Sequence, residues 1–236
     1  METLEKTYPN AHCELLHSNA LELLMATILS AQCTDERVNK VTRRLFVRCP
    51  SARDYATISS EELEGLIQST GFYRAKARHL QECAQALLER HEGEVPDSLA
   101  ALTRLPGVGR KTANVVLGEI FHNPEGVVVD THVQRLAARL GLSRERSPEK
   151  IEQDLMRIVP REKWALLSHW LIFHGRRRCR AIKPDCTHCE LAVLCPSAGA
   201  DAAQIGRKSR AGNRQSPERA IKTAKAGKGR RGAREH

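Results

Sequence analysis

The chain predicts an all-α protein, and three observations carry that prediction. Apolar side chains recur at helical spacing across the first 195 residues. Helix-start and turn signals separate the segments. Only Val127-Val-Val-Asp130 reads as strand-like, and four residues cannot make a sheet. Leu21, Leu24 and Ile28 repeat within a segment that is apolar nearly all round, as a central buried helix would be. Ala77, Leu80, Ala84 and Leu87 trace one face of a second helix. A short helix over 97–104 precedes a glycine-containing turn, and the segment from Lys111 to Ile120 resumes as a helix despite its two valines. A turn at Asn123-Pro-Glu-Gly126 leads into the apolar run, and a helix over 131–140 follows. Ile151, Leu155 and Ile158 mark a further helix, with Ser147 as its N-cap and Pro148 in its first turn.

From Ser197 onward the periodicity stops, and 197–236 is expected to be a disordered basic tail. It holds eleven Lys/Arg against three Asp/Glu, so most of the formal net charge of +10 sits there. The first 196 residues carry 27 basic and 25 acidic side chains, and a body so nearly neutral must hold a polyanion through local patches. The tail is then either a solvated extension or a tether to nucleic acid. Aromatic residues are only 4% of the chain, which argues against a wide platform for stacking single-stranded bases. The charged start Met1-Glu-Thr-Leu-Glu-Lys6 does not resemble a signal peptide, and no apolar run approaches the ~20 residues of a membrane span. An intracellular, cytoplasmic protein is expected, nucleoid-associated if bacterial. Its eight cysteines then read as metal ligands and core residues rather than disulfides. Cys13, Cys33, Cys49 and Cys83 stand singly and are expected to be small buried hydrophobes.

Three constellations carry chemistry. In Leu105-Pro-Gly-Val-Gly-Arg-Lys111 the glycines Gly107 and Gly109 permit positive φ and leave amides uncovered, while Leu105 and Val108 pack two helices together. The unpaired N–H groups at the start of the second helix make a phosphate site, so the segment over about 98–120 looks like a helix–hairpin–helix that grips a nucleic-acid backbone. Lys111 lies in the first turn of that helix, against the macrodipole. The dipole and desolvation both favour the neutral amine that nucleophilic attack on carbon requires, although a solvated lysine contacting phosphate fits the same position. Asp130 follows an apolar run and precedes a helix. It is either an N-cap or a carboxylate that stabilises cationic character at a sugar carbon, and both only if one oxygen stays free.

The third constellation is Cys179, Cys186, Cys189 and Cys195, a C-x6-C-x2-C-x5-C run over 17 residues. Four thiolates from one local loop can hold an iron–sulfur cluster or a structural zinc. Arg176, Arg177, Arg178, Arg180 and Lys183 surround the first loop and offset an anionic centre.

These residues resemble the endonuclease III family of the helix–hairpin–helix superfamily, DNA glycosylases that are also abasic-site lyases. The resemblance runs from about Leu15 to Pro196. It includes Leu29-Ser-Ala-Gln-Cys-Thr-Asp35, Gly71-Phe-Tyr-Arg-Ala-Lys-Ala77, the hairpin and its following helix, Val129-Asp-Thr-His132, and His174-Gly175 leading into the cysteines. It implies two helical domains with a cleft between them. One is a six-helix barrel over 15–123 containing the hairpin. The other is an iron–sulfur domain over 124–196, joined by residues 1–14. Lys111 is implied as the nucleophile, Asp130 as the catalytic aspartate, and the four cysteines as ligands of a [4Fe–4S] cluster. Gln32 matches a glutamine that probes the duplex where a base is flipped out. Gly107, Gly109, Arg110 and His132 are expected at the DNA. Phe72 falls near an apolar wedge position where leucine is usual. Damaged double-stranded DNA is the implied partner, bound by a monomer, and the implied work is base excision of oxidised pyrimidines followed by β-elimination. A monofunctional adenine glycosylase shares the cysteine pattern, but it typically lacks the lysine and carries a further C-terminal domain.

Overall fold

The computed structural model describes residues 1–198. Expectations for the basic tail therefore fall, apart from Ser197 and Ala198, outside the described residues.

Eleven α-helices build the described chain: α1 (Glu2–Thr7), α2 (Ala20–Leu29), α3 (Asp35–Arg48), α4 (Ala52–Thr57), α5 (Ser60–Ile67), α6 (Tyr73–His91), α7 (Leu99–Leu102), α8 (Arg110–Glu119), α9 (Thr131–Arg139), α10 (Pro148–Ile158) and α11 (Trp164–Arg177). No strand occurs among the described residues. Residues 127–130 run extended without a strand partner, and Val128 N donates instead to Ser168 Oγ at 3.0 Å.

The buried apolar side chains fall into two cores. The first is filled from α2 through α8, between Leu15 and Leu117. α2 is its axis: Asn19 caps it by accepting the Glu22 amide at 2.9 Å, and every side chain from Leu23 to Leu29 is buried. It packs against α3, α6 and α8. The expected face of α6 is there, with Ala77, Leu80, Ala84 and Leu87 all buried. The expected six helices number seven in this stretch, because α7 is a single turn of its own.

The second core joins both ends of the described chain. Leu4, Tyr8 and Ala11 pack with Val133, Leu136, Ile151, Leu155, Leu167, Trp170, Leu171 and Leu191. Ile158 departs from its expected face and is 53% exposed, since it closes α10 beyond the core. Ser147 is the N-cap residue of α10, as expected, but its side chain does not cap. Pro148 is the first residue of α10, and the Ser147 hydroxyl donates to the Glu149 carboxylate and caps no backbone amide.

Between the cores, α8 lies against α11 so closely that a Cβ on Gly118 would sit 3.0 Å from the Ala165 Cβ. Ion pairs tie the two halves beyond this contact. Arg176 of α11 reaches Glu14 in the connecting segment and Asp35 of α3, the latter at 2.7 Å. The space left between them is a cleft lined from both sides.

Candidate active site

The hairpin is built as its sequence requires. α7 is capped by Ser98, whose hydroxyl accepts the Ala101 amide at 3.4 Å, and it ends before Leu105. Leu105 and Val108 are buried and fix the turn against the first core. The two glycines serve different ends. Gly107 has φ +77, and a Cβ there would lie 2.9 Å from the Cβ of His79 in α6, so both backbone and space demand glycine. Gly109 has φ −91, which any residue adopts, and nothing lies within 4 Å of where its Cβ would be. The positive φ expected at both positions is thus found only at Gly107.

Gly109 is the N-cap of α8 and has no side chain to cap with. The amides of Gly107, Gly109, Arg110 and Lys111 donate to no acceptor among the described residues. Four uncapped donors beside an open space present a cradle for a phosphate oxygen.

Lys111 is exposed and lines the interdomain cleft together with Asp130. Asp130 is indeed the N-cap of α9: Oδ1 accepts the Val133 amide at 2.8 Å. Oδ2 accepts no hydrogen bond among the described residues, so the capping role leaves one oxygen directed to other work. A third charged group shares this cleft. Asp35 opens α3 and lines the same wall. Burial raises its carboxyl above the ordinary range. The Lys111 charge and His132 oppose that rise, and the like charge of Asp130 adds to it. The guanidinium of Arg176, in contact at 2.7 Å, also favours the ionised form. Asp35 was not among the expected site residues. The sequence signal for it is an aspartate at a helix start, Thr34-Asp35, three residues beyond Gln32.

Gln32 is exposed at the tip of the loop after α2, with φ 53, a left-handed conformation uncommon for a residue with a side chain. His132 lines a neighbouring hollow with Thr34, Asp35 and Arg176. Its Nδ1 lies 3.0 Å from Arg135 Nη2. A guanidinium only donates, so Nδ1 accepts and the neutral ring carries its proton on Nε2. Gly175 makes room for this pair, because a Cβ there would meet His132 Nδ1 at 2.9 Å and Arg135 Nη2 at 3.0 Å.

Arg110, expected at the DNA, is engaged within the protein. Its Nε donates to Glu152 at 2.8 Å and Nη2 reaches the Glu125 carbonyl at 3.3 Å, fastening the start of α8 to α10. Gly126 leaves space for the carboxylate, since a Cβ there would collide with that of Glu152.

The four clustered cysteines line one cavity with Leu140, His174 and Pro184. Arg139 Nη1 donates to Cys179 Sγ at 3.3 Å, and His174 Nε2 lies 3.4 Å from Cys189 Sγ. The other ring nitrogen of His174 meets the Tyr8 hydroxyl at 3.0 Å. Among the described residues no three His, Cys, Asp or Glu side chains gather closely enough to share a single metal ion. Of the single cysteines, Cys49 and Cys83 are buried as expected, whereas Cys13 and Cys33 are only half-buried and line the cleft and the hollow beside it.

Residues 25–161 match the HhH-GPD superfamily of base excision DNA repair proteins. The chain is 52% identical to endonuclease III of Synechocystis over 197 residues, covering 84% of this chain and 90% of that protein. Against endonuclease III of Escherichia coli K12 the identity is 41% over 192 residues, covering 81% and 90%. Among solved structures, a non-covalent endonuclease III–DNA complex superposes with a TM-score of 0.82 at 46% identity, covering 86% of this chain and 94% of that one. A trapped endonuclease III–DNA covalent intermediate superposes with a TM-score of 0.81 at 46% identity, covering 85% and 94%. This chain belongs to the endonuclease III family. It is accordingly a base excision repair enzyme, a DNA N-glycosylase and abasic-site lyase.

Proposed function

We propose that the protein excises oxidised pyrimidines from duplex DNA through Lys111 and cuts the strand on the 3′ side of the resulting abasic site. Extruding the damaged nucleotide costs a few kcal/mol, less for a lesion that stacks poorly. Lys111 Nζ, as the free amine, attacks C1′; the C1′–N bond breaks and the base leaves with the bonding pair. Lys111 is exposed in the free protein and lines the cleft that the duplex would cover. Asp130, through the oxygen not engaged as a cap, stabilises the cationic sugar. Ring opening gives a Schiff base, which acidifies the C2′ proton. Its loss expels the 3′ phosphate as the C3′–O bond breaks. The amides of Gly107 and Gly109 hold backbone phosphate, Gln32 enters the duplex, and His132 stands at the rim. Arg110 serves as a strut between α8 and α10.

The observation that carries this reading is the pairing of Lys111, at an uncapped helix start, with a half-committed Asp130 in one cleft. Borohydride trapping tests it. The wild type should become covalently attached to an oligonucleotide containing an abasic site, and Lys111→Gln should bind that DNA without attachment. Trapping by Lys111→Gln removes Lys111 as nucleophile. Strand cleavage on duplexes holding thymine glycol, an abasic site or an adenine mispair separates this activity from adenine excision.

Cys179, Cys186, Cys189 and Cys195 fit a [4Fe–4S] cluster. A tetrahedral zinc draws four sulfurs to about 2.3 Å from one point. The four cysteines line one cavity, as the ligands of a single four-thiolate centre must. A cluster there would supply a rigid structural hub, and Tyr8, Arg139 and His174 would hold its ligands in place. Iron and acid-labile sulfide analysis of the purified protein tests the assignment. The two cores support domain limits of 15–123 for the barrel and 1–14 with 124–196 for the cluster domain. The partner is damaged double-stranded DNA, bound by a monomer in the cytoplasm.

A further inference from the structure

Lys76 is a buried cation that neither the lyase chemistry nor the cluster uses. It is 4% exposed and lies in the first turn of α6, on a helix whose neighbouring buried positions are apolar. Its Nζ donates to two backbone carbonyls at 2.8 Å each, those of Leu29 and Thr70. Leu29 is the last residue of α2, and Thr70 ends the 3-10 turn Gln68–Thr70. An ammonium there satisfies carbonyls that a helix end leaves unpaired, and its charge complements the negative end of the helix dipole.

The residues just beyond each carbonyl matter more. Three residues after Leu29 comes Gln32 with φ 53, and two residues after Thr70 comes Phe72 with φ 48. Both are non-glycine residues in the left-handed region, at the tips of tight loops, and such conformations persist only where the surroundings impose them. Both side chains face outward: Gln32 is exposed and Phe72 is 68% exposed, a large apolar ring with no cover in the protein. The first loop borders the catalytic cleft, since Thr27 and Ser30 line it with Lys111. The second opens the helix against whose His79 the hairpin's Gly107 rests. Two carbonyls bound to one nitrogen lie no more than 5.6 Å apart, twice the 2.8 Å bond length, so a single ammonium sets the spacing of the loops.

We propose that Lys76 is a positioning residue: by holding the Leu29 and Thr70 carbonyls together it fixes the spacing of the two loops whose tips carry Gln32 and Phe72, the side chains that the family resemblance places at the base stack. The proposal rests on Lys111 and Asp130 acting in the cleft as a glycosylase and lyase centre. Its partner chemistry is the stacked interior of a duplex, to which an exposed ring offers a face and an amide offers hydrogen bonds. Lys76 touches no DNA; it acts through the two loops.

The test compares Lys76→Met, of similar length but without a donor, with the wild type on two substrates. The first is a duplex containing thymine glycol with 2-aminopurine opposite. The second is a single-stranded oligonucleotide with an abasic site, which has no base to extrude. A misplaced pair should lower duplex base excision and the 2-aminopurine fluorescence rise about 10–100-fold, as ångström-scale displacement does. The loss should fall on the single-turnover rate rather than on the concentration for half-saturation. Borohydride trapping on the single strand should stay within about 3-fold of wild type, a change of under ~0.7 kcal/mol. Equal losses on both substrates, or an undiminished duplex rate, overturn the proposal. Should Lys76→Met fail to fold, Lys76→Gln, a donor of shorter reach, carries the same comparison. Failure of the wild type to trap on either substrate would instead sink the Schiff-base reading.

Discussion

Arg110 and Glu152 form a two-pronged ion pair, Nε to Oε2 at 2.8 Å and Nη2 to Oε1 at 2.9 Å, that joins the start of the hairpin's second helix to α10. The Glu152 side chain is 9% exposed, the Arg110 side chain 45%. The carboxylate is therefore the member that suffers when the pair is broken. Arg110→Ala should lower stability by about 2 kcal/mol, less than a fully buried pair costs because the cation is half in water. Urea unfolding measures that loss. The same variant decides what Arg110 does for DNA: the salt dependence of binding should be unchanged, whereas a slope reduced by about one would restore a direct phosphate contact.

The glycines of the hairpin should separate stability from binding. Gly107→Ala forces a Cβ to within 2.9 Å of His79 at φ +77, and should cost about 1–3 kcal/mol. Gly109→Ala meets nothing and needs no strained backbone, so its thermal midpoint should match wild type. Its methyl would stand where a phosphate must approach, and DNA affinity should fall about tenfold, roughly the worth of one hydrogen bond to a charged group. Equal affinity for Gly109→Ala and wild type would move the phosphate elsewhere.

Asp130 holds two roles that substitution can split. Asparagine caps a helix about as well as aspartate, so Asp130→Asn should fold with near-native stability. Its single-turnover base excision should fall at least about a hundredfold through loss of the charge facing the sugar. Asp130→Ala should lose activity similarly and about 1 kcal/mol of stability as well. Full activity in Asp130→Asn would reduce the residue to a cap.

The cleft also contains a pH-sensitive pair, Glu119 and His169, 3.3 Å apart. The hydrogen bond from His169 holds the Glu119 carboxyl below its ordinary range, against opposition from burial. A carboxyl so lowered favours the fold when ionised. Its contribution is complete above the unfolded value near pH 4.3 and is lost as pH falls through the lowered value. Glu119→Gln should thus cost about 1 kcal/mol at pH 7, a figure reduced for partial exposure, and less at pH 3, below the unfolded value. Denaturant titrations at the two pH values check this, and a constant difference would contradict it.

Much of the fold and of the site was legible in the chain, for identifiable reasons. α2 and α6 announce themselves because their apolar residues repeat at the helical period, and in both the repeating face is the one that packs. The hairpin is legible because Gly107 answers a local demand of backbone and space. What periodicity cannot convey is where a polar side chain ends up once helices pack. Arg110 looked like a DNA contact because basic residues at a hairpin face phosphate, yet Glu152, 42 residues away in sequence, claims it. The roles of Asp35 and Lys76 are not legible in their local sequence, since their partners come from distant segments. Lys76 did leave one trace: it shares a helical stripe with Leu80, Cys83 and Leu87, all fully buried, where a lysine is out of place unless something receives its charge. Ser147 stood in the right place for a cap, but the nearby Glu149 competes for its hydroxyl.

The second core closes only when opposite ends of the described chain meet. Leu4 and Tyr8 pack on side chains from α9 to α11, and Tyr8 bonds His174 across 166 positions. A ribosome releases the amino end first, so the barrel around α2 has all its helices long before α11 exists. During that interval Leu4 of α1 and the Tyr8 that follows it have no core to enter, and must wait in water or in a chaperone's grip. Completion of the cysteine-bearing half therefore waits for α11, while the half that presents Lys111 already has its helices.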